Sequence, residues 1–161
     1  RIGFITGWLD LGCAIDRLEG YKAALKNNRI PLNNDLIFEG SFAQLDGYEG
    51  ANRFLDLKKP PTAIFASNDV MAVAAMDAVR QRGLRIPEDL SILGFDDVPQ
   101  SSLVRPSLTT VRQPLEQMGR LAAQILLDIL TNPNHSHQRI ELPTELIIRD
   151  STAKIKERKG E

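Results

Sequence analysis

The sequence predicts an α/β fold with a doubly wound parallel sheet, and three observations carry that prediction. Short apolar segments recur along the chain, and stretches with helical periodicity fall between them. The apolar segments are rich in Ile, Leu and Phe, as strands covered on both faces are. Strand alternating with helix in this way marks βαβ units, whose right-handed crossovers put helices on both sides of the sheet.

Each element follows in order. Ile2–Thr6 reads as the first strand, and Ala14–Asn28 as a helix with Ile15, Leu18, Tyr21 and Leu25 on one face. Asp35–Glu39 is the second strand, followed by a helix over Gln44–Leu57 with Tyr48, Ala51 and Leu55 aligned. Thr62–Ala66 leads into a helix over Asp69–Arg82, which aligns Val70, Val73, Ala74 and Met76 and stops at Gly83. After Ser91–Phe95 the pattern changes. A loop, Asp96–Pro106, precedes the strand Leu108–Val111 and then a long helix, Pro114–Leu130. Pro114 suits a first helical turn, and Leu115, Met118, Ala122, Ile125, Leu126 and Ile129 form a broad apolar stripe. A turn-rich Thr131–Gln138, two late strands (Arg139–Leu142 and Glu145–Ile148) and a charged tail over 153–161 complete the reading.

Composition narrows the function. A length of 161 residues suits one domain with a single core. Twenty basic and 21 acidic residues, spread along the chain, give a net charge of −1, without the basic excess that a phosphate-gripping surface needs. The single cysteine, Cys13, has no partner for an internal disulfide, which fits a reducing compartment. No apolar run approaches the roughly 20 residues that span a bilayer, so no membrane role is expected.

In an open parallel sheet, ligands bind beyond the carboxyl ends of the strands. Those ends carry Gly7-Trp8-Leu9-Asp10, Gly40-Ser41-Phe42, Ser67-Asn68-Asp69, Asp96-Asp97 and Arg112-Gln113, and Arg17 on the first helix is within reach of them. Carboxylates accept from hydroxyls, amides donate and accept, guanidinium donates in a fork, and an aromatic face covers a sugar or a purine. Each residue also has a plainer reading. Asn68 or Asp69 caps the following helix, Asp96 and Asp97 are turn acids, Phe42 is core, and Arg17 is a surface ion pair. The binding case rests on their convergence at one edge.

Enzyme signals are poor, and neither catalytic residues nor a cofactor is expected. The sequence has no Gly-x-Gly-x-x-Gly, no phosphate-binding P-loop and no Gly-x-Ser-x-Gly elbow. The only histidines, His135 and His137, have no Cys or acid close in sequence, so no metal site is predicted. Asn134-His135-Ser136 is a glycosylation triplet of a kind common by chance.

Four ordered segments resemble LacI/GalR-family transcriptional regulators. They are Asp16–Leu25 (Asp-Arg-Leu-Glu-Gly-Tyr-Lys-Ala-Ala-Leu), Pro61–Asp69, Ile86–Asp97 and Pro106–Pro114, and the likeness runs over roughly residues 1 to 152. The resemblance implies a periplasmic-binding-protein-like fold in which two lobes close over an effector. Residues 1–112 would form the C-terminal lobe, 113–142 would cross to the N-terminal lobe, and 143–152 would return. The chain would then be a fragment without its DNA-binding domain, meeting operator DNA only through that domain. By the same resemblance Arg17, Phe42, Asn68, Asp96 and Gln113 match effector-contacting positions for a sugar or purine-like ligand. Homodimer contacts would involve Val70, Val73, Ala74, Asp77, Leu103 and Val104. The expected function is effector sensing by a cytoplasmic repressor. The alternative is a periplasmic sugar-binding protein of a transporter, which shares the architecture.

Overall fold

The computed structural model describes residues 1–132 and 139–154. Its strands are β1 (Ile2–Ile5), β2 (Ile37–Phe38), β3 (Ala63–Ala66), β4 (Ser91–Asp96), β5 (Thr109–Arg112) and β6 (Glu145–Ile147). Its helices are α1 (Gly12–Asn27), α2 (Gln44–Leu55), α3 (Asp69–Gln81), a short α4 (Gln100–Leu103) and α5 (Leu115–Thr131). The strands form one sheet in the order β2-β1-β3-β4-β5-β6, parallel throughout except that β6 runs antiparallel beside β5. The expected doubly wound sheet is present.

Period-two alternation sorts each central strand between two apolar layers. Phe4 of β1 packs with Tyr21 and Leu25 of α1, stacking on the Tyr21 ring at 4.9 Å. Tyr21 Oη donates to the Ile2 carbonyl at 2.8 Å, which removes the penalty for burying a phenol. The next residue, Ile5, faces the opposite layer with Phe54 of α2 and Met71, Met76 and Val79 of α3. Close approach of α2 to α3 depends on Gly47, where a Cβ would lie 2.1 Å from the Met71 carbonyl oxygen.

Several element readings change in detail. Asn34–Leu36 is a 3-10 turn, so the second strand shrinks to Ile37–Phe38. On α1, Tyr21 and Leu25 are buried but Ile15 is exposed. On α2 the expected Ala51 is fully buried, but so is Phe54, outside the expected alignment, while Tyr48 and Leu55 are only partly buried. α3 turns Met71, Ala72, Ala75, Met76, Ala78 and Val79 inward and leaves Val70 at the surface. Gly83 does end that helix, with φ of +73°. Arg139–Leu142 is not a strand; the return of the chain is antiparallel pairing over Glu145–Ile147 alone. No residue of α5 is buried, and its Leu115, Met118, Leu126, Leu127 and Leu130 are exposed. Among the described residues, no helix is long and apolar enough to cross a membrane. Most of the turn-rich segment, with both histidines and the glycosylation triplet, and most of the charged tail lie outside the described residues.

One buried acid ties the layers together. Asp69 is fully buried and accepts hydrogen bonds from Thr110 Oγ1 (2.5 Å), Ser101 Oγ (2.6 Å) and the Val98 backbone N–H (3.0 Å). It therefore joins the start of α3 to β5, α4 and the loop between β4 and α4. Gly94 makes the room, since a Cβ there would lie 2.1 Å from Asp69 Oδ1. Asp69→Ala orphans two hydroxyls and an N–H. It is expected to lower unfolding free energy by about 2–4 kcal/mol, measured by urea denaturation.

Candidate functional site

The chain winds one way from β1 to β2 and the other way from β3 to β5. The crevice between the carboxyl ends of β1 and β3 is the topological switch point, where open α/β sheets bind ligands. Arg17, one turn into α1, reaches across it. Its Nη1 donates to the Ser67 carbonyl beyond β3 at 2.7 Å, and its guanidinium lies 3.9 Å from the Phe95 ring centroid and 5.7 Å from that of Phe42. Its Nη2 is 3.9 Å from Asp96 Oδ1. The Arg17 side chain is only 14% exposed, enclosed by groups that match a planar cation, well beyond a surface ion pair.

The loop that carries Phe42 is held by two side chains. The Asp46 carboxylate accepts from the Ser41 N–H (2.6 Å), the Ser41 hydroxyl (2.9 Å) and the Ala43 N–H (3.0 Å). Asn68 Nδ2 donates to the Phe42 carbonyl at 3.1 Å, while Asn68 Oδ1 caps α3 by accepting from the Met71 N–H at 2.8 Å. The capping reading of Asn68 therefore holds, and only one of its amide hydrogens is left for a ligand. On the far side, Gln113 Nε2 donates to Asp96 Oδ1 at 2.6 Å.

The five expected site residues accordingly form one contact chain, Gln113–Asp96–Arg17–Phe42–Asn68. Among the described residues, Phe42, Asp96 and Asp97 are three of the four non-glycine residues with positive φ (69°, 119° and 58°). Backbone of that kind persists only where the surroundings over-determine it, as they do at this edge. The reading of Phe42 as core is partly right as well, since it also packs against the α2–α3 layer.

Asp96 and Asp97 are neighbours with opposite electrostatics. Burial pushes the Asp96 carboxyl up, with the Gln113 hydrogen bond and the Arg17 charge opposing it. Burial also acts to raise Asp97, but hydrogen bonds from Arg112 (2.7 Å) and Arg149 (2.6 Å) outweigh it and hold that carboxyl below the usual range. Phe95 and Arg149 were not singled out in the sequence. Phe95 was accessible in principle as the residue beside Asp96 on an exposed end of β4; Arg149 follows only once β6 is placed beside β5.

Chemically the site offers a fork of donors, a half-buried carboxylate, two amides and an aromatic ring. Among the described residues, no three His, Cys, Asp or Glu side chains gather as a metal cage would. A cavity of about 840 Å³ forms an apolar groove along α1 that runs from Ile2 past Tyr21 and Leu25 to Phe95. It shares only Arg17 with the five residues; the contact chain sits at the open edge of the sheet, where a second surface would be needed to enclose a ligand.

The six residues expected at a dimer contact fall into two groups. Val70, Asp77 and Leu103 are exposed, while Ala74 is buried and Val73 and Val104 are partly packed in their own core. Ala74 and Asp77 line a shallow depression of about 450 Å³ between α2 and α3, with Leu45 and Tyr48.

A family model described as a periplasmic binding protein-like domain matches residues 1–152. The HTH-type transcriptional repressor PurR of Haemophilus influenzae (strain ATCC 51907 / DSM 11121 / KW20 / Rd) is 42% identical over 158 residues, covering 96% of this chain and 47% of the repressor. The transcriptional regulator CelR in complex with cellobiose superposes with a TM-score of 0.90 at 34% identity, covering 94% of this chain and 46% of that one. The lac repressor dimer bound to operator and an anti-inducer gives 0.84 at 29% identity, covering 96% and 53%. The chain thus spans about half the length of the curated relatives it matches.

The two acids make opposite contributions with pH. The stabilisation from Asp97 is full above the ordinary aspartate pKa of about 4 and is lost as pH falls through its lowered value. That from Asp96 is full below the ordinary value and is lost as pH rises through its raised one. Asp97→Asn is expected to cost about 1.5–3 kcal/mol at pH 7, with the difference from wild type shrinking below about pH 4. Asp96→Asn should cost less than Asp97→Asn at pH 7. Urea unfolding across pH 3 to 7, an order-of-magnitude window around that pKa, checks both.

Proposed function

The chain belongs to the periplasmic-binding-protein-like domain family, and from that premise we propose that it is the effector-sensing and dimerising part of a LacI-type transcriptional repressor. The observation that carries the reading is the Gln113–Asp96–Arg17–Phe42–Asn68 contact chain at the switch point of the sheet. Relatives named as repressors favour this role over that of a transporter's binding protein.

In this proposal residues 1–112 and 143–152 build one lobe, and 113–142 cross to a second lobe and return. The buried Ser151 supports the return: its Oγ donates to the Ile92 carbonyl at 2.6 Å and accepts from the Thr109 N–H at 2.8 Å. The uncovered apolar stripe of α5 supports its packing in the second lobe. The ligand is a sugar or a purine-like molecule that fits fork, carboxylate, amides and ring. It acts without chemistry: a ligand bridging two lobes binds the closed form better and shifts the equilibrium by that difference in affinity. Closure re-spaces paired helix-turn-helix heads on operator half-sites in the cytoplasm. Two copies would associate through α3 and α4 in a self-complementary contact, a reading supported by the exposure of Val70 and Leu103.

Calorimetry of the full-length protein against sugars and nucleobases tests the cleft. Asp96→Ala is expected to weaken the ligand that binds by about 1.5–3 kcal/mol, roughly tenfold or more, with the fold intact. Unchanged affinity removes Asp96 from the site, and failure of a bound ligand to alter operator affinity removes the switch. For the dimer, Val70→Asp combined with Leu103→Asp is expected to give monomers in sedimentation at micromolar concentration. A folded variant that stays dimeric places the interface elsewhere.

A further inference from the structure

Gly7 lies two residues beyond the end of β1, and its backbone does not have the left-handed φ that favours glycine. Among the described glycines only Gly83 has a left-handed φ; Gly7 does not. The reason for glycine lies in space rather than conformation. A Cβ built on Gly7 would lie 2.0 Å from Cζ, 2.2 Å from Cε2 and 2.3 Å from Cε1 of Phe42. The outer edge of the Phe42 ring occupies the volume that a side chain at position 7 would fill.

The neighbouring geometry is built to bring the ring there. Thr6 N–H donates to the Phe38 carbonyl at 2.8 Å and Gly40 N–H donates to Thr6 Oγ1 at 3.3 Å, drawing the loop after β2 across the end of β1. A Cβ on Gly40 would lie 2.8 Å from the Thr6 carbonyl oxygen, so that loop needs a glycine too. Phe42 then adopts φ of +69°, pinned by Asn68 on its carbonyl and by Asp46 on both flanking residues. A bulky residue with positive φ is strained, and in this conformation the Phe42 ring lies over Gly7.

We infer that Gly7 is a positioning residue for ligand binding: its missing side chain is the seat that holds the Phe42 ring in the cleft beside Arg17. This inference rests on the effector-site reading above and adds a residue to it. Without the seat, the ring is displaced toward Arg17 or away from the cleft. Either movement changes the aromatic face offered to a sugar or purine ligand, while the Gln113–Asp96 hydrogen bond beyond Arg17 is not touched.

A double-mutant cycle in the full-length protein tests it, with Gly7→Ala, Phe42→Ala and the pair. Thermal unfolding is the first readout. Gly7→Ala is expected to lower the unfolding temperature when Phe42 is present and to have no measurable effect when residue 42 is alanine. Equal effects in both backgrounds overturn the seat. Calorimetry with ribose, cellobiose and adenine is the second readout, using whichever binds wild type best. Phe42→Ala and Gly7→Ala are each expected to weaken it about tenfold, and the pair no more than Phe42→Ala alone. Wild-type affinity in folded Gly7→Ala overturns the positioning role even if the unfolding coupling is present. Absence of binding by wild type to all three probes counts against both the effector reading and the role of Gly7 in it, while the unfolding coupling still reports on the seat itself.

Discussion

The guanidinium of Arg17 is where the ends of three strands are brought to one place. It is anchored to the Ser67 carbonyl beyond β3, lies against Phe95 of β4, and approaches Phe42 in the loop that crosses the end of β1. A cation enclosed in this way must be compensated, and the compensation comes from a carbonyl, two ring faces and a carboxylate 3.9 Å away. These partners come from the ends of β2, β3 and β4, so one guanidinium ties three strand ends together. A lysine would supply the charge but could not lie flat between rings while donating sideways.

The acids around it divide their work by depth. Asp69, fully buried, has its oxygens filled by hydroxyls and a backbone N–H of its own chain and serves the fold. Asp97 is saturated by two arginines and serves the join between β5 and the returning segment. Asp96 lies between these cases, with one close donor and an environment that resists its charge. Asp69 and Asp96 are near enough in space to repel, and each acid is matched by its own donors.

Much of this was legible from residue order. Apolar runs alternating with helical periods specify a doubly wound sheet, and the carboxyl ends of its strands are the only edge where Arg17, Phe42, Asn68, Asp96 and Gln113 can meet. Face assignments on the helices were less secure. Val70 and Ile15 are as apolar as their buried neighbours, and only packing decides that Met71 turns inward while Val70 stays outside. The dual role of Asn68 was half visible, because capping is local and its bond to Phe42 spans 26 residues. The seat at Gly7 was not visible. Nothing in the sequence tells a glycine kept for its backbone freedom from one kept because a distant ring fills its place.

The pairing of β5 with β6 has a topological meaning of its own. Arg112 and Glu145 are register partners in antiparallel strands, and they also form an ion pair at 3.5 Å. Everything between them therefore departs from and rejoins the sheet at a single doorway, as the tip of a hairpin does. An insertion whose two ends already touch imposes no separation on its host, so its length and content can vary without stretching the strands that carry it. Evolution can trade such a module, lengthen it or retune its contents while the five parallel strands behind it keep their register.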